Sequence, residues 1–276
     1  MYKVIFIDLD GTLLNDKKEI SNENIKLLNR AYNEKGIKTI ITTGRQSGYI
    51  QNIYDKYNCN FGDYIISTNG AIVKNIKTNE YINKENIPVE DLHVLREIVL
   101  ETDLNYLLIY TEERAYMEKK PFIKTQKEII VDNIYNFFAN RNEPLFLCTT
   151  GGDSENLEKA INKISKYPNL SSTPICDYNV IIDNKTYNHK YIDVAKTGST
   201  KKSAILKVLD KFNINSDEMI VIGDGGNDVP MFECGGYKVA MGNADDIIKE
   251  KADFITDTNN NDGVAKAIKK IIFNEE

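Results

Sequence analysis

The sequence is poor in the residues that most often build metal and nucleophile sites. It has two histidines, His93 and His189, with no partner at ligand spacing. That argues against a histidine-centred zinc site or a serine hydrolase triad, so acid and base work falls to carboxylates. Its four cysteines, Cys59, Cys148, Cys176 and Cys234, are scattered and form no C-x-x-C pair, which speaks against a zinc knuckle or a redox motif and for buried, reduced thiols. No apolar run approaches the roughly 20 residues that cross a bilayer. The N-terminal MYKVIFIDLDGT ends its short apolar stretch in two carboxylates, unlike a signal peptide, and a cytoplasmic location is expected. The formal charge of −6 offers no broad basic footprint, so neither nucleic acid nor membrane is expected as a partner.

What remains is an ordinary globular balance, 41% hydrophobic and 28% charged residues over 276 positions, enough for two modules or one large α/β unit. The first 80 or so residues alternate short β-branched runs with amphipathic ones, the signature of βαβ units and a parallel sheet. Strands are predicted at Val4–Ile7, Thr39–Thr42 and Tyr64–Ser67. A helix capped by Ser21 and stopped at Gly36 lies between the first two, a second covers Gln46–Tyr57, and Asn69-Gly70 reads as a tight hairpin turn. From about Pro88 to Asn188 the texture becomes that of an α+β insert, with strands at Tyr106–Tyr110, Leu145–Thr149 and Asn179–Ile182 and a helix over Asp153–Lys166. The βα alternation then returns with a helix at Ser199–Phe212, strands at Met219–Ile222, Lys238–Ala240 and Phe254–Thr256, and a final helix at Val264–Phe273.

Chemistry-bearing residues sit where these elements end. Asp8 and Asp10 follow the first strand in D-x-D-G-T; at i and i+2 of an extended stretch they point the same way and could bind a hard cation or share nucleophile and proton-transfer roles. Thr43-Gly44-Arg45 follows the second strand, where a hydroxyl and an amide can donate to a phosphoryl oxygen. Gly223-Asp224-Gly225-Gly226-Asn227-Asp228 follows the Met219 strand and offers hard oxygen ligands suited to Mg²⁺, on a loop too short for an EF-hand. Lys201, near a helix start, can balance the acids and a phosphate, with Lys196 and Lys202 as competitors.

With these residues in order, the chain resembles the Cof-type branch of the haloacid dehalogenase superfamily of phosphatases along nearly its full length. The motifs are DLDGTLL at 8–14, STNGA at 67–71, TTGR at 42–45, Lys201 after KTGST, GDGGND at 223–228, and the tail pair MGNAD and NDGVA. The resemblance implies a doubly wound, Rossmann-like parallel core from residues 1–83 and 191–276, with an inserted cap at 84–190 that selects the substrate. It implies Asp8 as nucleophile and Asp10 as acid and base, protonated for the first step. Thr43 and Lys201 would hold the phosphoryl oxygens. Mg²⁺ would sit on the Asp8 side chain, the Asp10 backbone carbonyl and Asp224, with Asn227 and Asp228 supporting substrate or metal. Gly44, Arg45 and Asn69 would lie beside the phosphate position as further substrate contacts, with ordinary turn stabilisation as the alternative for Arg45 and Asn69, and Asn184–Lys190 is a specificity candidate or a hinge. The expected partner is a small phosphate ester: a sugar phosphate, or a monoester like flavin mononucleotide or pyridoxal phosphate. A phosphomutase of similar architecture and a phospho-receiver are the alternatives; the second carboxylate and the large insert speak against the receiver.

Overall fold

The computed structural model describes residues 1–118, 128–182 and 185–275, apart from the side chains of 178–182. The chain forms two compact units, Met1–Lys84 with Thr200–Glu276, and Glu85–Ser199.

The first unit opens with β1 (Val4–Ile7), α1 (Asn22–Lys35), β2 (Lys38–Thr42), α2 (Ser47–Tyr57), β3 (Tyr64–Ser67), β4 (Ile72–Asn75) and β5 (Tyr81–Lys84). The boundaries of α1 follow from local chemistry. Ser21 Oγ accepts the Asn24 N–H at its start, and Gly36 takes the left-handed conformation (φ 68°) that closes its last carbonyls. Asn69-Gly70 is not the simple hairpin turn expected. Thr68, Asn69 and Gly70 all have positive φ (48°, 53° and 104°) in a short 3₁₀ turn. A Cβ on Gly70 would lie 2.2 Å from the Thr200 carbonyl oxygen, so this turn abuts the chain leading to Lys201.

The second unit contains α3 (Val89–Glu101), β6 (Tyr106–Tyr110), β7 (Ala115–Glu118), β8 (Ile129–Val131), α4 (Ile134–Ala139), β9 (Leu147–Gly151), α5 (Ser154–Ile164), β10 (Leu170–Ser172), β11 (Cys176–Ile182) and β12 (Lys185–Lys196). Its sheet runs β10-β12-β9-β6-β7-β8, with β11 paired to β12. Leu107, Ile109, Cys148, Ile192 and Val194 share one core with Leu92, Leu95, Phe138 and Leu157 of the helices, while Tyr106, Leu108, Ala115 and Met117 cluster on alternate positions. The second unit extends past the expected return at residue 191. Tyr191–Val194 pairs with β9, and Ile192 and Val194 are buried in that core, so these residues cannot leave it. Asn184 lies outside the described residues, and Lys185–Lys190 is strand, paired with β11.

The chain returns through α6 (Lys201–Phe212), β13 (Met219–Gly223), α7 (Val229–Phe232), β14 (Tyr237–Ala240), α8 (Asp246–Lys249), β15 (Phe254–Ile255) and α9 (Gly263–Ile268); the last continues as a π-helical turn over Lys269–Phe273. The first unit's sheet has the order β15-β14-β13-β1-β2-β3-β4-β5. Strands β15 to β3 are mutually parallel and β4 and β5 antiparallel. Val4–Ile7 and Met219–Ile222 are almost wholly buried, which explains why both read as continuous apolar runs; each such side chain contributes about 1.5–3 kcal/mol. The consequence for function is positional. Because β2, β1 and β13 run parallel in register, the segments that follow them emerge at one sheet edge.

All four cysteines are free. Burial pushes the Cys59 thiol up to about 12 and Cys234 up to about 11, as expected of inert core thiols, whereas Cys176 is only partly buried. Among the described residues no helix is long and apolar enough to cross a membrane.

Candidate active site

The parallel edge brings together residues 220 positions apart in sequence. The Asp8 N–H donates to Ile222 O (2.9 Å), extending the β1–β13 ladder and holding Asp8 beside the loop of Asp224 and Asp228. Oxygens of Asp8, Asp224 and Asp228 lie within 4.8 Å of one another. The Lys201 ammonium donates to Asp8 Oδ1 and to Asp228 Oδ1, both at 2.6 Å. Lys201 is 2% exposed, Asp8 4% and Asp228 0%. Thr200 caps α6 through its side chain, so Lys201 occupies the first helical position. Its two competitors are engaged elsewhere: Lys202 with Glu233 at the surface, Lys196 with Glu85 in the second unit.

Asp224 is fixed by the Thr12 hydroxyl, which donates to its Oδ1 (2.7 Å). Asp228 accepts the Asp224 and Gly225 N–H groups at Oδ2 (3.0 and 3.2 Å), so both its oxygens are committed to holding the loop and the lysine. Among the described residues no donor engages Asp8 Oδ2 or Asp224 Oδ2. Burial first, then repulsion from Asp228, pushes the Asp8 carboxyl well up despite Lys201, and the same two causes push Asp224 up to about 7. Burial works against the Lys201 charge, but Asp228 and Asp8 outweigh it and hold the ammonium above its ordinary value. With all three carboxylates ionised, their −3 and the +1 of the ammonium would leave two negative charges in a largely desolvated site. That donor set fits one divalent hard cation.

Asp10 faces a different environment. Its carboxylate receives Arg45 Nε (2.7 Å) and Nη2 (2.8 Å) as a fork, and the Lys18 ammonium at 2.8 Å. Burial raises its pKa, but the Arg45 and Lys18 contacts more than offset that and hold it at about 2. Asp10 is therefore ionised in this arrangement, and an acid role requires both cations to release it. Lys18 carries no sequence signal, since a lysine in a polar turn reads as surface.

Thr43 is buried and accepts the Arg45 N–H at its Oγ1 (3.2 Å). The Asn69 N–H donates to Thr43 O (3.1 Å) and the Thr68 N–H to Arg45 O (2.9 Å), interlocking the two turns. A Cβ on Gly44 would come 3.0 Å from Asn69 Oδ1, so glycine lets these turns meet. Asn227 is exposed, its Oδ1 against Gly225, and among the described residues it makes no hydrogen bond into the cluster. The MGNAD segment, seen in sequence only as resemblance, has a structural role. Asn243 donates to Gly11 O (2.9 Å), the Asp245 N–H to Asp224 O (2.8 Å), and Asp245 Oδ2 accepts the Gly226 N–H (3.1 Å).

Gly11 gives a direct test of this packing. It has φ +81°, and a Cβ there would lie 2.2 Å from Asp224 Oδ2. Gly11→Ala is expected to displace the Asp224 carboxylate and lower kcat/KM by about 10²-fold, the order expected for a misplacement near 1 Å. Wild-type kinetics in a folded variant would contradict the tight packing.

The model of the haloacid dehalogenase-like hydrolases matches residues 5–268. The chain belongs to that family. It is a phosphoric monoester hydrolase of the Cof type, and the cluster described above is its candidate catalytic centre. The putative phosphatase YxeH of Bacillus subtilis is 31% identical, over 99% of each chain. The 5-amino-6-(5-phospho-D-ribitylamino)uracil phosphatase YcsE of the same organism is 29% identical, over 97% of this chain and 94% of its own. A crystal structure of a haloacid dehalogenase-like hydrolase from Bacteroides thetaiotaomicron superposes with a TM-score of 0.78 at 29% identity, covering 99% of this chain and 100% of that one.

Proposed function

We propose that this phosphatase is Mg²⁺-dependent and hydrolyses small phosphorylated metabolites through an aspartyl-phosphate on Asp8. The observation that carries the proposal is the buried cluster of Asp8, Asp224, Asp228 and Lys201, in which one oxygen each of Asp8 and Asp224 faces no donor among the described residues. Asp8 and Asp224 would hold the metal with the Asp10 backbone carbonyl, while Asp228 acts by fixing the loop and Lys201. When bound, the metal supplies positive charge that offsets charge on the phosphoryl oxygens and favours the ionised form of Asp8.

The remaining work falls to the chain's own residues. Once Asp10 has left Arg45 and Lys18 and taken up a proton from solvent, an Asp8 oxygen bonds to phosphorus as the ester P–O bond breaks, and the leaving oxygen takes that proton from Asp10. Asp10 then takes a proton from the water that cleaves the aspartyl-phosphate, releasing inorganic phosphate and regenerating Asp8. Lys201, Thr43 and the Gly44 amide hold the phosphoryl oxygens. Asp10→Asn is expected to slow both steps, by about 10² to 10⁴-fold in kcat; unchanged kinetics between pH 5 and 8 would exclude the shuttle role.

The second unit is proposed as a cap that selects the leaving group. Sugar phosphates and monoesters like flavin mononucleotide or pyridoxal phosphate are the proposed substrate range, a choice supported by the phosphorylated ribityl compound named for the relative YcsE. Purified protein with Mg²⁺ should release phosphate from p-nitrophenyl phosphate over many turnovers. Stopping after one equivalent, or forming an isomer from a hexose phosphate without phosphate release, would overturn hydrolysis.

A further inference from the structure

We infer that the turn Thr68–Gly70 is a positioning element for the phosphoryl group: it sets the span between the turn of Thr43 and Gly44 and the ammonium of Lys201, the groups proposed above to hold the phosphoryl oxygens. The inference rests on the phosphatase reading and assigns part of the site's affinity for phosphate to residues outside the acidic cluster.

Thr68 lowers stability in two ways where it stands. A threonine at φ 48° is branched at Cβ in the left-handed region, where glycine or asparagine fits with less strain. Its side chain is fully buried, and among the described residues its hydroxyl has no hydrogen-bond partner. Asn69 and Gly70 continue the left-handed backbone at 53° and 104°. Such a run persists only where the surrounding structure over-determines it.

The segments that do so here are those whose separation matters for a phosphoryl group. On one side the Thr68 N–H donates to Arg45 O (2.9 Å) and the Asn69 N–H to Thr43 O (3.1 Å). The buried hydroxyls of Ser67 and Ser47 meet at 2.8 Å and join the end of β3 to the start of α2. On the other side, a Cβ on Gly70 would fall 2.2 Å from Thr200 O and 3.0 Å from Lys201 N, so the turn lies directly against the first residue of α6. A second tie reaches the same helix. The Asn83 amide donates to Gly70 O (3.1 Å) and Ala71 O (3.2 Å), and the Lys207 ammonium donates to Asn83 Oδ1 (2.6 Å). Asp8 and Asp224 are held instead through Ile222 and Thr12, so loosening the turn acts on phosphate before it acts on metal.

The test uses the full-length protein in Mg²⁺, with inorganic phosphate as the probe and titration calorimetry as the measurement. Thr68→Gly removes the strain and the buried hydroxyl but frees the backbone. It should raise the Kd of phosphate by about tenfold or more, the loss expected when one hydrogen bond to a charged group is misaligned. Its unfolding midpoint should equal or exceed that of the wild type, and the Mg²⁺ concentration for half-maximal thermal stabilisation should stay the same. Thr68→Ala keeps a Cβ, and so a restricted backbone, without the hydroxyl; it should bind phosphate like the wild type. Wild-type phosphate affinity in folded Thr68→Gly overturns the inference. So does a parallel fall of midpoint, Mg²⁺ affinity and phosphate affinity, which a merely structural turn would give, and so does an equal loss in Thr68→Ala, which would assign the effect to the hydroxyl. Failure of the wild type to hydrolyse p-nitrophenyl phosphate while it binds phosphate would instead overturn the phosphatase reading.

Discussion

Asp8→Asn is expected to abolish phosphate release, with kcat falling by a factor on the order of 10⁵, and yet to leave the fold intact or more stable. The first half follows because an amide oxygen cannot form and then regenerate the acyl-phosphate. The second follows from electrostatics. Burial and Asp228 push the Asp8 carboxyl upward, so its ionised form is costly in the metal-free protein, and a neutral side chain of the same shape removes that cost. Lys201 keeps Asp228 as a partner at 2.6 Å. The two measurements are phosphate release and thermal unfolding in a chelator. Retention of more than a hundredth of wild-type turnover would exclude Asp8 as nucleophile, and a large fall in the unfolding midpoint would show that its charge stabilises the fold.

Removal of divalent metal should have the second largest effect, reducing turnover to background, with recovery on adding Mg²⁺. It should also give stability a distinctive pH dependence. Asp224 in the folded protein is pushed up to about 7, above its ordinary carboxylate value, and Asp8 is raised in the same sense. Between about pH 4 and 7 the folded state thus holds more protons at this site than the unfolded chain, so the site's contribution to stability declines as pH rises through that window. A bound cation reverses the repulsion, and at about 100 times its Kd it adds about 2.7 kcal/mol, roughly 5–10 °C for a chain of this size. Unfolding midpoints measured in chelator and in Mg²⁺ should therefore diverge from pH 5 to pH 8. A Mg²⁺ increment that is constant across that range, or absent, would contradict a shared cation on Asp8 and Asp224.

Much of this architecture is legible in the residues. Val4–Ile7 matches the expected strand because a parallel strand buried on both faces must be apolar throughout, and Tyr64–Ser67 matches through the buried β-branched pair Ile65 and Ile66 at its centre. Ser21 and Gly36 bound α1 through chemistry confined to a few neighbouring residues. The second unit was less legible. Short strands such as Ala115–Glu118 and Leu170–Ser172 have no periodicity of their own, and their place depends on partners far along the chain. The chain returns later than residue 191 for the same reason: Tyr191–Val194 continues a strand paired with Cys148–Gly151, 40 to 46 residues back, a pairing that no local pattern records.

By itself the sequence determined which residue types stand at the strand ends, because turn glycines and paired aspartates are local choices, and with them the family. Only the tertiary structure decided which of those residues meet. Parallel register brought Asp224 and Asp228 to Asp8, packing buried Lys201 rather than Lys196 or Lys202, and a turn anchored to Asn259 and Asn260 set Lys18 against Asp10. Charge balance in a desolvated site depends on distances between groups far apart in the chain, and those distances exist only once it has folded.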